Sequence, residues 1–507
     1  MTFKRFVLAL LTVIAIFLAS DSLLRSWQKP QVQGRLELYQ TDIVLQAASW
    51  EDEASNSLQT ASKAILGAKP LEAAVKQYQD ARTSAQDSLT TAKKQLDSAN
   101  PQPDVKQQQL EKSVDELEKL LGELDLRLGV LQAQQGKVED AIASWNNLKK
   151  NTTIEVGLQD AADVLSGLWS QPPQLLPNAQ EFIQAKLDGW FRYTALTKLY
   201  QLQQLQDKLV LLQASQQEIA QDAAIKLALI AALPNLAGLF GILLLLFLVI
   251  QRLIKGKQSL LSQNSDLTWT TPWDGETILE VFVAGFFLMG QIIVPLSISL
   301  LVSFLKIPHS GDIRIEAFYI LINYVFLSAG ALLVLYFSIK RFLPLPEGWF
   351  RLNFGNGKWI LWGIGGYCVA VPVVLIVSLL NQKIWQGQGG SNPLLQLALE
   401  SQDSVALGIF FFTAAIAAPL FEEFLFRGFL LPSLTRYLPV WGAIVLSSLL
   451  FAAAHLSLSE IIPLFFLGCI LGVVYTRSRN LLASMLLHSL WNSGTLLALF
   501  VLGSSSK

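Results

Sequence analysis

From residue 224 onward the chain is a succession of apolar runs, each about as long as a lipid bilayer is thick. A hydrocarbon core of about 30 Å takes roughly 20 helical residues to cross. No water reaches a bare peptide group there, and a helix satisfies all of its own hydrogen bonds. The runs fall near 227–250, 279–305, 317–339, 359–380, 404–430, 438–456, 461–476 and 481–502. A further run, FVLALLTVIAIFLAS at 6–20, follows Lys4 and Arg5. It is short for a span, and residues 1–24 read as a signal anchor or a cleaved signal peptide. Either form exports the residues after it. The expected fold is all-α, a polytopic helical membrane bundle of about eight or nine spans.

Composition divides the chain. Charged residues make up 15% of it, against about 25% in a typical soluble domain, and the deficit lies almost wholly after residue 223. Residues 25–223 are polar, rich in Gln, Ala and Leu, with apolar residues at three- and four-residue spacing. They read as an exported helical domain, and residues 224–507 as the membrane domain. Leu128-Gly129, Gly136, Ala141 and Trp145 follow the order of a tetratricopeptide helix pair, in which small residues let two helices touch and an aromatic plugs the gap. Ala74 and Tyr78 lie about two repeat periods earlier. The domain is therefore either a helical hairpin bundle or a repeat surface for a protein partner. The net charge of -1 gives no reason to expect nucleic acid. The two cysteines, Cys368 and Cys469, stand in apolar runs with no CxxC pairing. They read as inert buried thiols, not as a disulfide or a thiolate zinc site.

Polar residues within spans are costly, at least about 2.5 kcal/mol for a charge, and three clusters of them stand out. The first is Glu422-Glu423-Phe-Leu-Phe-Arg427. Consecutive residues point about 100° apart on a helix, so the two carboxylates face different neighbours. Glu423 and Arg427 are four apart with the acid N-terminal, the favoured order for an ion pair. Glu422 is left free, and a carboxyl held among apolar helices suits general acid–base work. Pro419 removes a backbone hydrogen bond one turn earlier and can open the helix beside it. The second cluster is Phe451-Ala-Ala-Ala-His455, with a thin alanine face. The third is His488-Ser-Leu-Trp-Asn492, which puts two donors on one face, as an oxyanion site requires. His455 and His488 are two of the three histidines. His309, after Pro308, falls in a connecting loop and reads as solvated. At 1.5 Å per residue, Glu422, His455 and His488 lie ~20, ~24 and ~15 Å above the inner ends of their helices, so tilted helices bring them together. Each motif alone also fits plain packing: a helix-locking ion pair, or a hydrogen-bonded histidine. Their succession on separate spans favours a site.

Glu-Glu-x-x-x-Arg, Phe-x-x-x-His and His-x-x-x-Asn on successive membrane helices resemble the CAAX proteases and bacteriocin-processing enzymes, which include the CAAX prenyl endopeptidases and the Abi proteins. The resemblance covers about residues 400–500. It implies an intramembrane glutamate-type endopeptidase acting on a protein or peptide substrate. Glu422 would activate water, His455 would assist it, and His488 with Asn492 would stabilise the oxyanion. Glu423, Arg427 and Phe451 would be supporting. No cofactor is expected. The alternative is a zinc metalloprotease, because two histidines and a carboxylate resemble a metal triad, but Asn492 suits an oxyanion site better than a ligand set. A non-catalytic binding or immunity protein is a further alternative, against which the intact motif set speaks. A transporter would show paired broken helices in two related halves, and these are not evident. The exported domain and N-terminal signal point to a bacterial inner membrane or a thylakoid-type membrane.

Lys and Arg set the orientation. Alternate loops carry Arg252, Lys255 and Lys257; Lys340, Arg341, Arg351 and Lys358; Arg436; and Arg477 and Arg479. The opposite loops carry only Lys306, Arg314 and Lys383. The bias puts residues 21–223 outside the cytoplasm. Protease added to spheroplasts should digest that domain and spare the 340–358 loop; the reverse pattern contradicts this orientation.

Overall fold

The computed structural model describes residues 2–27, 32–50, 69–98, 105–150, 155–304, 312–355, 357–385, 389–401 and 403–503. His309 lies outside the described residues. Among those described there is no strand. The helices are α1 (Phe3–Ser26), α2 (Val32–Ala48), α3 (Pro70–Ser98), α4 (Val105–Gln134), α5 (Val138–Lys150), α6 (Val156–Trp169), α7 (Ala179–Lys186), α8 (Gly189–Leu202), α9 (Gln206–Lys255), α10 (Gly275–Phe304), α11 (Ile313–Ile339), α12 (Lys358–Trp385), α13 (Pro393–Glu400), α14 (Ser404–Leu434), α15 (Val440–Ala453), α16 (Leu458–Ser478) and α17 (Leu481–Gly503). They form two compact units. One is Gln33–Ala232 with the C-terminal tail, and the other is Met1–Val32 with Leu233–Phe500. The division falls within α9.

In the first unit, Gly129 and Gly136 do different work. A Cβ on Gly129 would stand 2.3 Å from the Trp145 indole nitrogen, so only glycine lets α4 meet the tryptophan. The indole N–H donates to the Leu126 carbonyl at 3.1 Å. Gly136, at φ 80°, instead ends α4. The Lys137 N–H reaches the Gln132 carbonyl and the Gly136 N–H reaches that of Ala133, a Schellman closure that needs the left-handed residue. A polar cluster ties α2, α3, α4 and the start of α8 together. The Tyr78 hydroxyl donates to Asp42 at 2.6 Å. Arg127 lies 3.7 Å from Asp42 and 3.0 Å from Asp188.

The second unit is a multi-pass membrane bundle. Eight helices among the described residues are long and apolar enough to span: α1, α9 to α12, α14, α16 and α17. The run expected to span at 438–456 is instead α15, of 14 residues, about 21 Å long. It stops because Ala454-His455 turns and Leu456 takes φ 54°, so His455 sits on a turn and not within a helix. The α15–α16 pair closes on Gly468 and Gly472, where added Cβ atoms would lie 2.9 Å from Ser448 and 3.0 Å from Ile444. This is close small-residue packing at GxxxG spacing. Helix α1 is docked at both ends. Lys4 pairs with Glu276 at 3.1 Å and with Glu280 at 2.5 Å, and Ser26 Oγ accepts the Leu458 N–H at 3.1 Å. Cys368 is buried and Cys469 half-buried, both as free thiols.

The four Lys/Arg-rich loops meet on one face of this unit. Trp269 N–H donates to Thr435 Oγ1, Arg436 to the Thr271 and Trp273 carbonyls, Asn264 to the Arg477 carbonyl, and Leu481 N–H to the Arg351 carbonyl. Three π-helical stretches, at 280–293, 412–417 and 424–430, each end two residues before a proline: Pro295, Pro419 and Pro432. A proline ring clashes with the carbonyl four residues back in a regular α-turn. Widening the preceding turn to five-residue bonding removes that clash without breaking the helix.

Asp42 gives the first unit a pH dependence. Burial, the largest influence, pushes its carboxyl up to about 6, against the pull of Arg127 and the Tyr78 hydrogen bond. A carboxyl with a higher pKa folded than unfolded stabilises the fold when protonated. That contribution is complete below about 3.9, the unfolded value, and is lost as pH rises through about 6. From pH 4 to pH 7 the native chain should therefore lose on the order of 1–3 kcal/mol of stability in this unit relative to Asp42→Asn. Amide exchange of the peptide around Tyr78 in the intact chain, corrected for intrinsic rate, measures it. A difference that does not vary with pH contradicts this assignment.

Candidate active site

The site is built where α14, α15, α16 and α17 meet, with α11 at its edge. Helix α14 carries the adjacent carboxylates between two of the widened stretches. As the 100° step requires, they face different partners. Glu423 points into the bundle and is fully buried, as is Arg427. The Arg427 Nη1 donates to Glu423 Oε1 at 2.7 Å and Nη2 to the Gly468 carbonyl at 3.1 Å. The guanidinium also lies 4.4 Å over the Phe451 ring, a desolvated cation–π contact. The same Glu423 oxygen meets His488 Nδ1 at 3.0 Å. Because a carboxylate only accepts, Nδ1 carries the proton and Nε2 is the edge His488 presents to the site.

Glu422 lies on the neighbouring face, with its side chain 17% exposed against 0% for Glu423. Its Oε2 is 4.0 Å from His488 Nε2, too long for a direct hydrogen bond. Its Oε1 accepts from the Tyr324 hydroxyl at 3.3 Å. His455 approaches from the turn after α15. Its Nδ1 lies 2.9 Å from the Phe451 carbonyl; the carbonyl accepts, so Nε2 is the bare nitrogen. The Phe451 ring stands edge-on between the two imidazoles, with centroids 5.0 Å from His455 and 5.7 Å from His488. His455 makes no direct ion pair or hydrogen bond with Glu422 among the described residues. Glu460, in the first turn of α16, interacts electrostatically with His455 and accepts the Asn392 N–H at 2.8 Å.

Asn492 shows how the proline shapes the site. In the widened turn the Ala418 N–H bonds the Thr413 carbonyl, five residues back. The next bond in that series would run from residue 419 to the Ala414 carbonyl, but Pro419 has no N–H. The Asn492 Nδ2 donates there instead, at 2.7 Å. One amide N–H therefore pins α17 to α14.

All seven sequence-derived residues gather here. Glu422, Glu423, Arg427 and His488 form a contiguous polar chain. Phe451 separates His455 from His488, and Asn492 is tethered one turn beyond His488. Sequence reasoning missed Tyr324, whose signal was only a hydroxyl in the 317–339 run, and Glu460, which sits at the start of a span. Among the described residues, no three His, Cys, Asp or Glu side chains are gathered as a metal ion would require.

Comparison with known proteins places this region. Residues 404–494 match the family model described as type II CAAX prenyl endopeptidase Rce1-like. The chain is similar to the membrane-embedded CAAX protease MroQ of Staphylococcus aureus (strain USA300), 29% identical over 143 residues, which is 27% of this chain and 56% of that protein. It is also similar to an uncharacterized 24.3 kDa protein of Escherichia coli, 31% identical over 176 residues, 33% of this chain and 76% of that protein. The chain thus spans little more than half the length of the staphylococcal relative. No solved structure matches the chain.

Proposed function

This chain belongs to the CAAX protease family, and on that premise we propose that it is a membrane-embedded glutamate-type endopeptidase in which Glu422 is the general base. The observation that carries this reading is the asymmetry of the two carboxylates. Glu423 is fully buried, and Arg427 and His488 share its Oε1. Glu422 is partly open, makes one long hydrogen bond and faces an imidazole edge. A base needs that freedom.

In the proposed reaction a water loses a proton to Glu422 as its oxygen attacks the scissile carbonyl carbon. The bare Nε2 of His455 accepts a hydrogen bond from the water and orients it. The tetrahedral oxyanion is met by His488 Nε2–H and the second N–H of Asn492. The Glu423 carboxylate on Nδ1 balances the charge of the imidazolium that such a donor requires. Collapse returns the proton from Glu422 to the leaving amine. Zinc is given no step in this reading: a catalytic zinc needs three protein ligands and an open position, whereas here Glu422, His455, His488 and Asn492 each have a part in handling the water or the oxyanion.

Replacing Glu422 by Gln should lower cleavage by at least about 10²–10⁴-fold while the protein stays folded and inserted. Mass spectrometry of membrane proteins from cells carrying Glu422→Gln should reveal species that accumulate uncleaved, and the native chain should cleave them in the presence of a strong chelator. No accumulation contradicts the protease reading. Cleavage abolished by chelation, restored by zinc alone and matched by one bound zinc per chain would replace the base mechanism with a metal one.

A further inference from the structure

Tyr324 lies on α11, outside the 404–494 segment that matches the family model, yet it reaches the reacting carboxylate. We propose that Tyr324 is a positioning residue for Glu422, holding it ionised and aimed at His488. The proposal rests on Glu422 acting as the base.

The carboxylate has two oxygens and two distinct surroundings. Oε1 takes the Tyr324 hydroxyl at 3.3 Å, and Oε2 faces His488 Nε2 at 4.0 Å. The one hydrogen bond holds Oε1 and leaves Oε2 turned toward the imidazole. Tyr324 also lines a cavity of about 700 Å³ between α11, α14 and the 343–350 segment. Its walls are almost wholly apolar, with Leu335, Phe350, Leu420, Phe421 and Met485 among them. The ring is held edge-on to Phe421, with centroids 6.0 Å apart. Tyr324 therefore stands between a hydrocarbon-lined space and the carboxylate. Its ring faces the cavity and its hydroxyl faces the charge, the usual amphipathic use of a tyrosine.

Without that hydroxyl, no hydrogen-bond donor among the described residues reaches Oε1. An unpaired carboxylate in such a place either turns away or takes up a proton. Both remove a base. Tyr324→Phe keeps the ring and its packing and deletes only the donor.

Dicyclohexylcarbodiimide reads this directly. It partitions into membranes and reacts with protonated carboxyls, whether or not the chain cleaves anything. The full chain in phosphatidylcholine vesicles is labelled at several pH values, and modification of Glu422 is quantified by peptide fragmentation, with Glu423 as the buried, ion-paired internal standard. Tyr324→Phe should raise Glu422 labelling at neutral pH by about two- to tenfold, the equivalent of one net hydrogen bond, with reaction persisting to higher pH. Tyr336→Phe alters the same cavity wall without touching the carboxylate, and labelling should stay at the native level. Equal labelling of native and Tyr324→Phe chains overturns the proposal. So does an equal rise in both variants, which would make cavity access the cause. Failure of Glu422→Gln to accumulate substrate would instead remove the catalytic reading and leave the labelling result standing.

Discussion

The ion pair of Glu423 with Arg427, both fully buried in a membrane bundle, is the constraint around which the membrane half of the structure is arranged. Each charge alone would cost at least about 2.5 kcal/mol in a span. Together they are tolerated because every helix near them contributes something. Helix α14 supplies both charges, α15 lays Phe451 under the guanidinium, α16 offers the Gly468 carbonyl, and α17 brings His488 to the shared carboxylate oxygen. A buried pair is weak evidence for net stability, since an apolar replacement of similar volume is often as stable. Its consequence here is registry: four helices must meet at one height or the charges are left unpaired.

That registry is what makes Glu422 available. Adjacent residues on a helix cannot share a face, so fixing Glu423 inward turns Glu422 toward α11 and the open edge of the site. The two carboxylates thereby acquire separate lives, one fully buried in an ion pair and one half-buried with a single hydrogen bond. The prolines serve the same end by local means. Pro419 widens the turn before Glu422 and strips the Ala414 carbonyl of its partner, and Asn492 occupies the vacancy. A backbone defect on α14 thus becomes the tether that sets where α17 sits.

Much of this was legible in the sequence because it follows from length and period. Apolar runs of span length located the helices, and a four-residue spacing paired Glu423 with Arg427. What the sequence did not reveal depends on single backbone conformations or on contacts between distant spans. The 438–456 run looked long enough to cross, but Leu456 adopts a left-handed conformation that apolar periodicity does not register. The five-residue bonding before each proline changes the helix without changing its pattern of residues. Tyr324 lies 98 residues from Glu422 and belongs to no spacing motif. In the N-terminal unit the two motif glycines looked alike, and only the structure separated the one that admits Trp145 from the one that ends α4.

The measurement that bears most directly on the buried pair is folded yield and thermal midpoint of the purified membrane protein across four variants. Glu423→Gln and Arg427→Ala each strand one buried charge, at about 3–5 kcal/mol, and should lose most folded protein. The double replacement Glu423→Leu/Arg427→Met removes both charges of the pair, leaving only His488 Nδ1 without its acceptor, and should recover part of it, while Glu422→Gln should match the native chain. Single variants as abundant and as heat-stable as Glu422→Gln would show that the pair does not organise the bundle, and would contradict the account.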